Sequence, residues 1–321
     1  MREYAFELAL CGAIEDGKRL LARQLGGHVH GRRIVDVVIV EPGPEFERRA
    51  AITDETIPPA AIEAPVGPGT ARRLREVFPD RRPEDRTRLL ERAVDAGFFE
   101  RERTGGDPVV RQVCRYPDQW FDRLVGIENK PDLDRPGDLQ VQLRTDVSLG
   151  LFDEVVLATA SHVTGAHRNR IPEEVGIWRF DPETGEREIL RDATPLDPDE
   201  HGVEILERQP GRTAVTVVSP AAKGRARRRI AERAYGKGWR TFRFPACGRC
   251  DPDGGRNARV PYCEWAGRIV DPASECGPTC AGHAPAAPPS VDLDADRDAS
   301  SCWRANPDGR RRRQACLDRF E

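Results

Sequence analysis

Lysine is almost missing from this chain: Lys18, Lys130, Lys223 and Lys237 are the only lysines among 51 basic residues, and arginine fills the other positions. GC-rich coding accounts for most of that bias. A large net charge is missing too, because 54 acidic residues leave the chain at −3. So modest a total says nothing of polyanion binding, and only the distribution of charge along the chain bears on it. No run approaches the roughly 18 apolar residues needed to span a bilayer, which excludes a transmembrane helix by length. The start, Met1-Arg2-Glu3-Tyr4, lacks the apolar region of a signal peptide, so a cytoplasmic location is expected. In that compartment the nine cysteines stay reduced, and clustered ones point to a metal site ahead of disulfides.

What is there suits a soluble globular protein: 321 residues, 38% hydrophobic and 33% charged, enough for a sizeable core. Residues 3–25 read as one amphipathic helix, with Glu7, Leu10, Cys11 and Ile14 at helical spacing on one face. The β-branched run from Arg33 to Glu41 predicts a buried strand with Asp36 at its middle, ended by Pro42-Gly43. From 44 to 118 the texture changes. Short helices near Thr70–Phe78 and Pro83–Ala96 precede a hairpin of 98–103 and 109–113 around Thr104-Gly105-Gly106-Asp107, an order resembling a winged-helix module.

Strand character returns at 123–130 and 154–159, with a helix from Pro136-Gly137-Asp138 to about Leu149 between them. A hairpin follows at Val175–Phe180 and Glu186–Leu190, then a strand at Thr213–Val218, a helix opened by Ser219-Pro220 and a strand at Trp239–Phe244. The fold class is therefore α/β with a mixed sheet. The expected organisation is a discontinuous core of 1–43 and 119–245, an inserted winged-helix-like module of 44–118 and a Cys-rich metal-binding tail of 246–321.

Two carboxylates carry the functional reading. Residues two apart on a strand share a face, so Glu128 and Lys130 are expected to point together. Asp36 shares its face with Ile34, Val38 and Val40, where an acid is costly to bury unless paired or bound to a cation. Glu7 sits likewise among apolar neighbours, and Gln140 and Gln142 follow on the next helix. Asp122 stands too close before Glu128 to occupy a separate strand.

This order resembles the PD-(D/E)XK, or restriction-endonuclease-like, nucleases: helix, acidic strand, (D/E)XK strand, helix, strand. The resemblance covers 3–43 and 123–160. It implies that Asp36 and Glu128 hold Mg²⁺ or Mn²⁺, that Lys130 assists the attacking water, that Glu7 is the extra acid of the first helix, and that Gln142, or Gln140, is the post-motif glutamine. The departure from the family pattern is the 91 residues between Asp36 and Glu128, which the inserted module would occupy. Through Val-Gly-Ile-Glu-Asn-Lys-Pro-Asp-Leu, Gln-Leu-Arg-Thr-Asp-Val-Ser-Leu and the cysteine-rich end, the whole chain also resembles an uncharacterised family of haloarchaeal proteins, which implies no activity.

Cys247-Gly248-Arg249-Cys250 has the spacing that lets two thiolates reach one ion, and Cys263, Cys276 and Cys280 follow. Zinc is the expected ion. An iron-sulfur cluster is the alternative, with Cys11 as an early ligand. Arg225, Arg228, Arg229 and Arg233 on one helix, Arg310 to Arg313, and Arg86, Arg88 and Arg92 are candidate contacts to a DNA backbone, independent of sequence. The expectation is a metal-dependent nuclease acting on DNA, in repair or defence. A catalytically inactive nuclease-like DNA-binding or assembly module, and a structural zinc protein without a nucleic-acid partner, are the alternatives.

Overall fold

The computed structural model describes residues 2–103, 108–255 and 257–309. The expected turn at 104–107 and the basic run Arg310 to Arg313 lie outside the described residues. Helix α1 (Glu3–Ile14) buries Phe6, Leu8, Leu10 and Cys11 and ends where Glu15 turns extended (ψ 125°), after which Gly17 at φ +74° carries the turn toward the next element. The predicted helix over 3–25 is therefore too long: Leu20–Gly26 is strand β1, antiparallel to β2 (Ile34–Pro42) with Leu20 opposite Val40 and Leu25 opposite Val35. Leu, Ala, Arg and Gln in β1 favour a helix locally, but pairing with the β-branched run of β2 overrides that preference.

Between 44 and 118 lie α2 (Phe46–Ala50), α3 (Pro59–Ile62), α4 (Leu74–Val77) and α5 (Pro83–Asp95), with a small sheet ordered β3 (Arg72–Arg73), β5 (Pro108–Gln112), β4 (Phe99–Arg103). The chain then re-enters the main sheet as β6 (Phe121–Asn129), antiparallel to β2. Helix α6 (Leu139–Leu149), closed by Gly150 at φ +60°, leads to β7 (Glu154–Thr159), parallel to β6. Next come α7 (Gly165–Arg168), β8 (Gly176–Phe180) and β9 (Arg187–Arg191), so the six-stranded mixed sheet runs β1-β2-β6-β7-β8-β9.

Among the described residues, strands β10 (Gly202–Gln209) and β11 (Arg212–Val218) pair only with each other, and α8 (Pro220–Lys237) follows with Ser219 capping its N-terminus. The strand expected at Trp239–Phe244 is not one. Trp239 and Phe242 are buried against the α1 side of the sheet, and the segment joins no ladder among the described residues. The tail forms a minimal sheet of β12 (Cys250–Asp251), β13 (Tyr262–Cys263) and β14 (Arg268–Ile269).

The sheet separates two apolar layers. Val37, Ile39, Val125, Ile127 and Val156 pack on α1, where Phe6 meets Phe180 edge to face at 5.4 Å. Val38, Val40, Leu124, Val155 and Leu157 pack on the other side with Ala226 and Ile230 of α8, Leu139 and Leu143 of α6, and Phe46, Leu90 and Phe98 of the 44–118 segment. That segment thus adds to one contiguous core. A buried Arg49–Glu232 ion pair (Nε–Oε1 2.6 Å) ties it to α8, with Tyr116 also donating to Glu232 at 2.8 Å. Among the described residues no helix is long and apolar enough to cross a membrane.

Candidate functional site

Val37 faces Ile127 across β2 and β6, and the same register brings Asp36 opposite Glu128. Both side chains belong to the face of Val38 and Leu124, the side of α6 and α8. Two acids far apart in sequence thus stand opposite each other at the end of β6. Asp36 Oδ2 accepts the backbone N–H of Asn129 at 2.9 Å, and its Oδ1 accepts Gln24 Nε2 at 3.2 Å. Gln24 reaches it from β1 with φ +53°, a left-handed backbone that a glutamine rarely adopts.

Glu128, 5% exposed, is held by Arg33, whose guanidinium also grips Asp146 of α6 (Nε–Oδ1 3.1 Å, Nη2–Oδ2 2.8 Å). Glu7 reaches the cluster from α1. It takes an ion pair from Arg23, a hydrogen bond from Gln24 Nε2 at 2.9 Å and one from Asn129 Nδ2 at 3.0 Å. Asn129 Oδ1 is buried without a hydrogen-bond partner. Lys237 of α8 comes nearby, but its ammonium donates to the carbonyls of Arg23 (2.7 Å) and Gln24 (2.9 Å).

Lys130 departs from expectation. The strand ends at Asn129, so Lys130 falls beyond the pleat that would aim it with Glu128, and its ammonium pairs with Glu3 of α1. Gln142 and Gln140 lie on α6 as expected, but neither makes a side-chain hydrogen bond to this cluster among the described residues; the α6 residue that reaches it, through Arg33, is Asp146. Sequence reasoning missed Asp146, Arg33, Arg23, Gln24 and Asn129. For Asp146 a signal existed, since it sits three residues from both Leu143 and Leu149 on the apolar stripe of α6, as Glu7 does on α1. Nothing local marks Arg33.

The direct ion pairs do not balance. Glu7, Asp36, Glu128 and Asp146 are buried or half-buried; among the described residues only Arg23 and Arg33 form ion pairs with them, and Asp36 has none. Burial, then the neighbouring Asp36 charge, pushes the Glu128 carboxyl up to about 8 against the pull of Arg33. Burial raises Asp146 to about 6 although Arg33 opposes it, and burial also raises Asp36 and Glu7. A buried surplus of carboxylate is stable either with a proton taken up or with a cation bound. The donors are all oxygens, which suits Mg²⁺ or Mn²⁺ through two acids, with water and substrate completing the shell.

In the tail, Cys250 N–H donates to the Cys247 carbonyl at 3.1 Å, and Cys250 stands opposite Cys263 across β12 and β13. Burial and the nearby thiols of Cys276, Cys247 and Cys263 push Cys250 up to about 12, and Cys276 is raised by burial and by Cys263, Cys247 and Cys280. These cysteines are thus neighbours, but among the described residues no three His, Cys, Asp or Glu side chains converge into a metal-ligand group. Cys11 is fully buried in the α1 layer with its thiol raised well above normal, chiefly by burial, which disfavours the thiolate a cluster ligand needs. Among the basic candidates, Arg229 donates to the His28 carbonyl and Arg88 pairs with Asp85.

Neither the curated proteins nor the solved structures contain a match to this chain. A match does come from a family defined by sequence alone. The chain belongs to DUF5787, a family of unknown function matched over residues 20–285, a span that takes in Asp36, Glu128, Lys130 and Asp146 and begins after α1.

Proposed function

We propose that this protein is a metal-dependent nuclease with a restriction-endonuclease-like PD-(D/E)XK core, hydrolysing DNA phosphodiester bonds. The observation that carries the reading is the pairing of Asp36 with Glu128 on adjacent antiparallel strands, with Asp36 in no direct ion pair among the described residues. The order α1, β1, β2, β6, α6, β7 supports it, because the helix, acidic strand, (D/E)XK strand, helix and strand follow one another as in those nucleases. Asp36 and Glu128 hold Mg²⁺ or Mn²⁺, which when bound polarises the phosphoryl group and lowers the pKa of water. For Glu128 to serve, Arg33 must release it and remain with Asp146. Lys130, paired with Glu3 just beyond the end of β6, would have to leave that pair to meet charge developing on the phosphate. Glu7 orients Gln24 and Asn129 around Asp36, and Gln142 is the candidate post-motif glutamine. The helices and small sheet of 44–118 serve as a winged-helix-like DNA contact.

The tail cysteines Cys247, Cys250, Cys263, Cys276 and Cys280 bind zinc in this reading, with an iron-sulfur cluster as the alternative. Strands of two residues bury too little to hold themselves together, and a structural ion would supply what apolar burial does not. Metal analysis and a visible spectrum separate the two, since a brown protein means iron.

One observation favours a second reading. Arg33 occupies Glu128 in the manner of a permanent structural pair, as in a nuclease-like module that binds DNA without cutting it. Incubation with labelled single-stranded and duplex DNA in Mg²⁺, Mn²⁺ or chelator decides. Metal-dependent cleavage lost in both Asp36→Asn and Glu128→Gln is expected. Cleavage that survives both substitutions overturns the assignment, and binding without cleavage under every metal condition establishes the second reading.

A further inference from the structure

Helix α6 turns Asp146 toward the sheet and presents Arg144, Val147 and Ser148 to a cleft of about 800 Å³. Arg168 of α7, Arg170, Arg191 of β9 and Arg208 of β10 line the rest of it, so five guanidinium groups from four separate parts of the chain meet at one concavity. Arg191 is anchored by the carbonyls of Val175 (2.8 Å) and Pro172 (2.7 Å). The side chains of Arg144, Arg168, Arg170 and Arg208 are exposed and have no ion pair or hydrogen bond among the described residues.

Two carboxylates, Glu173 and Glu174, also line the cleft. Both act on Arg191: burial and Arg168 disfavour its charge, and these two acids counter them. With five arginines against these two glutamates, the cleft carries an excess of positive charge in a chain whose net charge is −3. A smaller hollow of about 190 Å³ shares Arg170 and Ile171 with the cleft and adds His167 and Gln140, which lengthens the track along α6. A track of several cations suits an extended polyanion better than a single anion. Its apolar lining is aliphatic, with Val147, Ile171 and Ile205 and no aromatic ring, so it offers no platform for stacking bases. Guanidinium forks match phosphate oxygens two at a time.

We propose that this cleft binds the phosphodiester backbone of nucleic acid, independently of base sequence. The cleft shares no residue with the Asp36–Glu128 cluster, so the inference goes beyond the cleavage reading and stands or falls separately.

The test is fluorescence anisotropy of the full chain with a labelled oligonucleotide, single-stranded and duplex, in chelator at low salt so that no cleavage occurs. Wild type is expected to bind, and the variant Arg168→Glu/Arg170→Glu/Arg208→Glu to bind at least about tenfold more weakly. Its log-affinity against log-salt slope should be shallower by about 2 to 3, one for each phosphate contact removed. Arg243→Glu, at an exposed arginine outside the cleft, should bind as wild type does. If charge reversal unfolds the chain, shown by circular dichroism, Arg170→Gln and Arg208→Gln replace it, each expected to weaken binding severalfold. No binding by wild type, unchanged affinity in the cleft variants, or equal weakening by Arg243→Glu overturns the proposal. Displacement by polyglutamate as effective as displacement by nucleic acid also overturns it, by assigning the cleft to acidic protein segments.

Discussion

Asp36 is the residue on which the proposed chemistry turns, because among the described residues its oxygens accept hydrogen bonds from the neutral Asn129 amide and Gln24 and form no direct ion pair, while its acidic neighbours share two guanidinium groups. A divalent ion that binds only the folded state stabilises it by about 2.7 kcal/mol at a hundredfold excess over Kd. Mg²⁺ should accordingly raise the melting temperature of wild type, and Asp36→Asn or Glu128→Gln should abolish that rise; calorimetry in chelator and in Mg²⁺ reads it directly. Glu204 shows the opposite case, a carboxylate whose role is structural. It is buried on β10 and accepts the backbone N–H groups of Val29 (2.8 Å), His30 (2.8 Å) and Gly31 (3.0 Å). Burial works against its charge, yet these N–H groups outweigh burial and hold the carboxyl below its ordinary value. A lowered folded-state pKa stabilises above the unfolded value and loses that contribution as pH falls through the folded one. Glu204→Gln should cost about 1–3 kcal/mol at neutral pH, by the loss of charged acceptors to buried donors. In urea titrations the gap between wild type and variant should close below about pH 4.

Among the elements, the β10–β11 hairpin docks on α6 by backbone approach. A Cβ added at Gly202 would meet the Leu149 carbonyl oxygen at 2.1 Å, with no flexible side chain to yield. Gly202→Ala should therefore displace the hairpin and destabilise the fold by about 1–3 kcal/mol, read as a lower urea midpoint. The same elements show where local patterns suffice. The β-branched runs of β2 and β7 and the Ser219-Pro220 start of α8 were legible because composition and capping act within a few residues. Strand β1 was not, since its helix-forming residues become a strand only once β2 is present to pair with. The aromatic stretch at Trp239–Phe244 misled for the converse reason: its side chains are buried as a strand's would be, but no ladder reaches its backbone.

In the whole molecule, residues 44–118 and α8 share one apolar cluster, pinned by the fully buried Arg49–Glu232 pair. Removing one member of such a pair leaves an uncompensated charge and costs about 3–5 kcal/mol. Glu232→Ala should lower the stability of the entire chain in one cooperative transition, with tryptophan fluorescence and far-UV circular dichroism changing together. Separate transitions would mean that the 44–118 segment unfolds on its own.

The amino-acid sequence by itself determined that this is an α/β protein, that Asp36 and Glu128 are acids within apolar strands, and that cysteines gather after residue 247. Each of those properties is local, carried by composition, period and spacing. Only the tertiary structure decided that Asp36 stands opposite Glu128, that Arg33 bridges Glu128 and Asp146, that Lys130 turns to Glu3, and that five arginines from four parts of the chain line one cleft. Register between strands and the packing of a helix across a sheet bring together residues a hundred positions apart, and no local pattern encodes which charges then become neighbours.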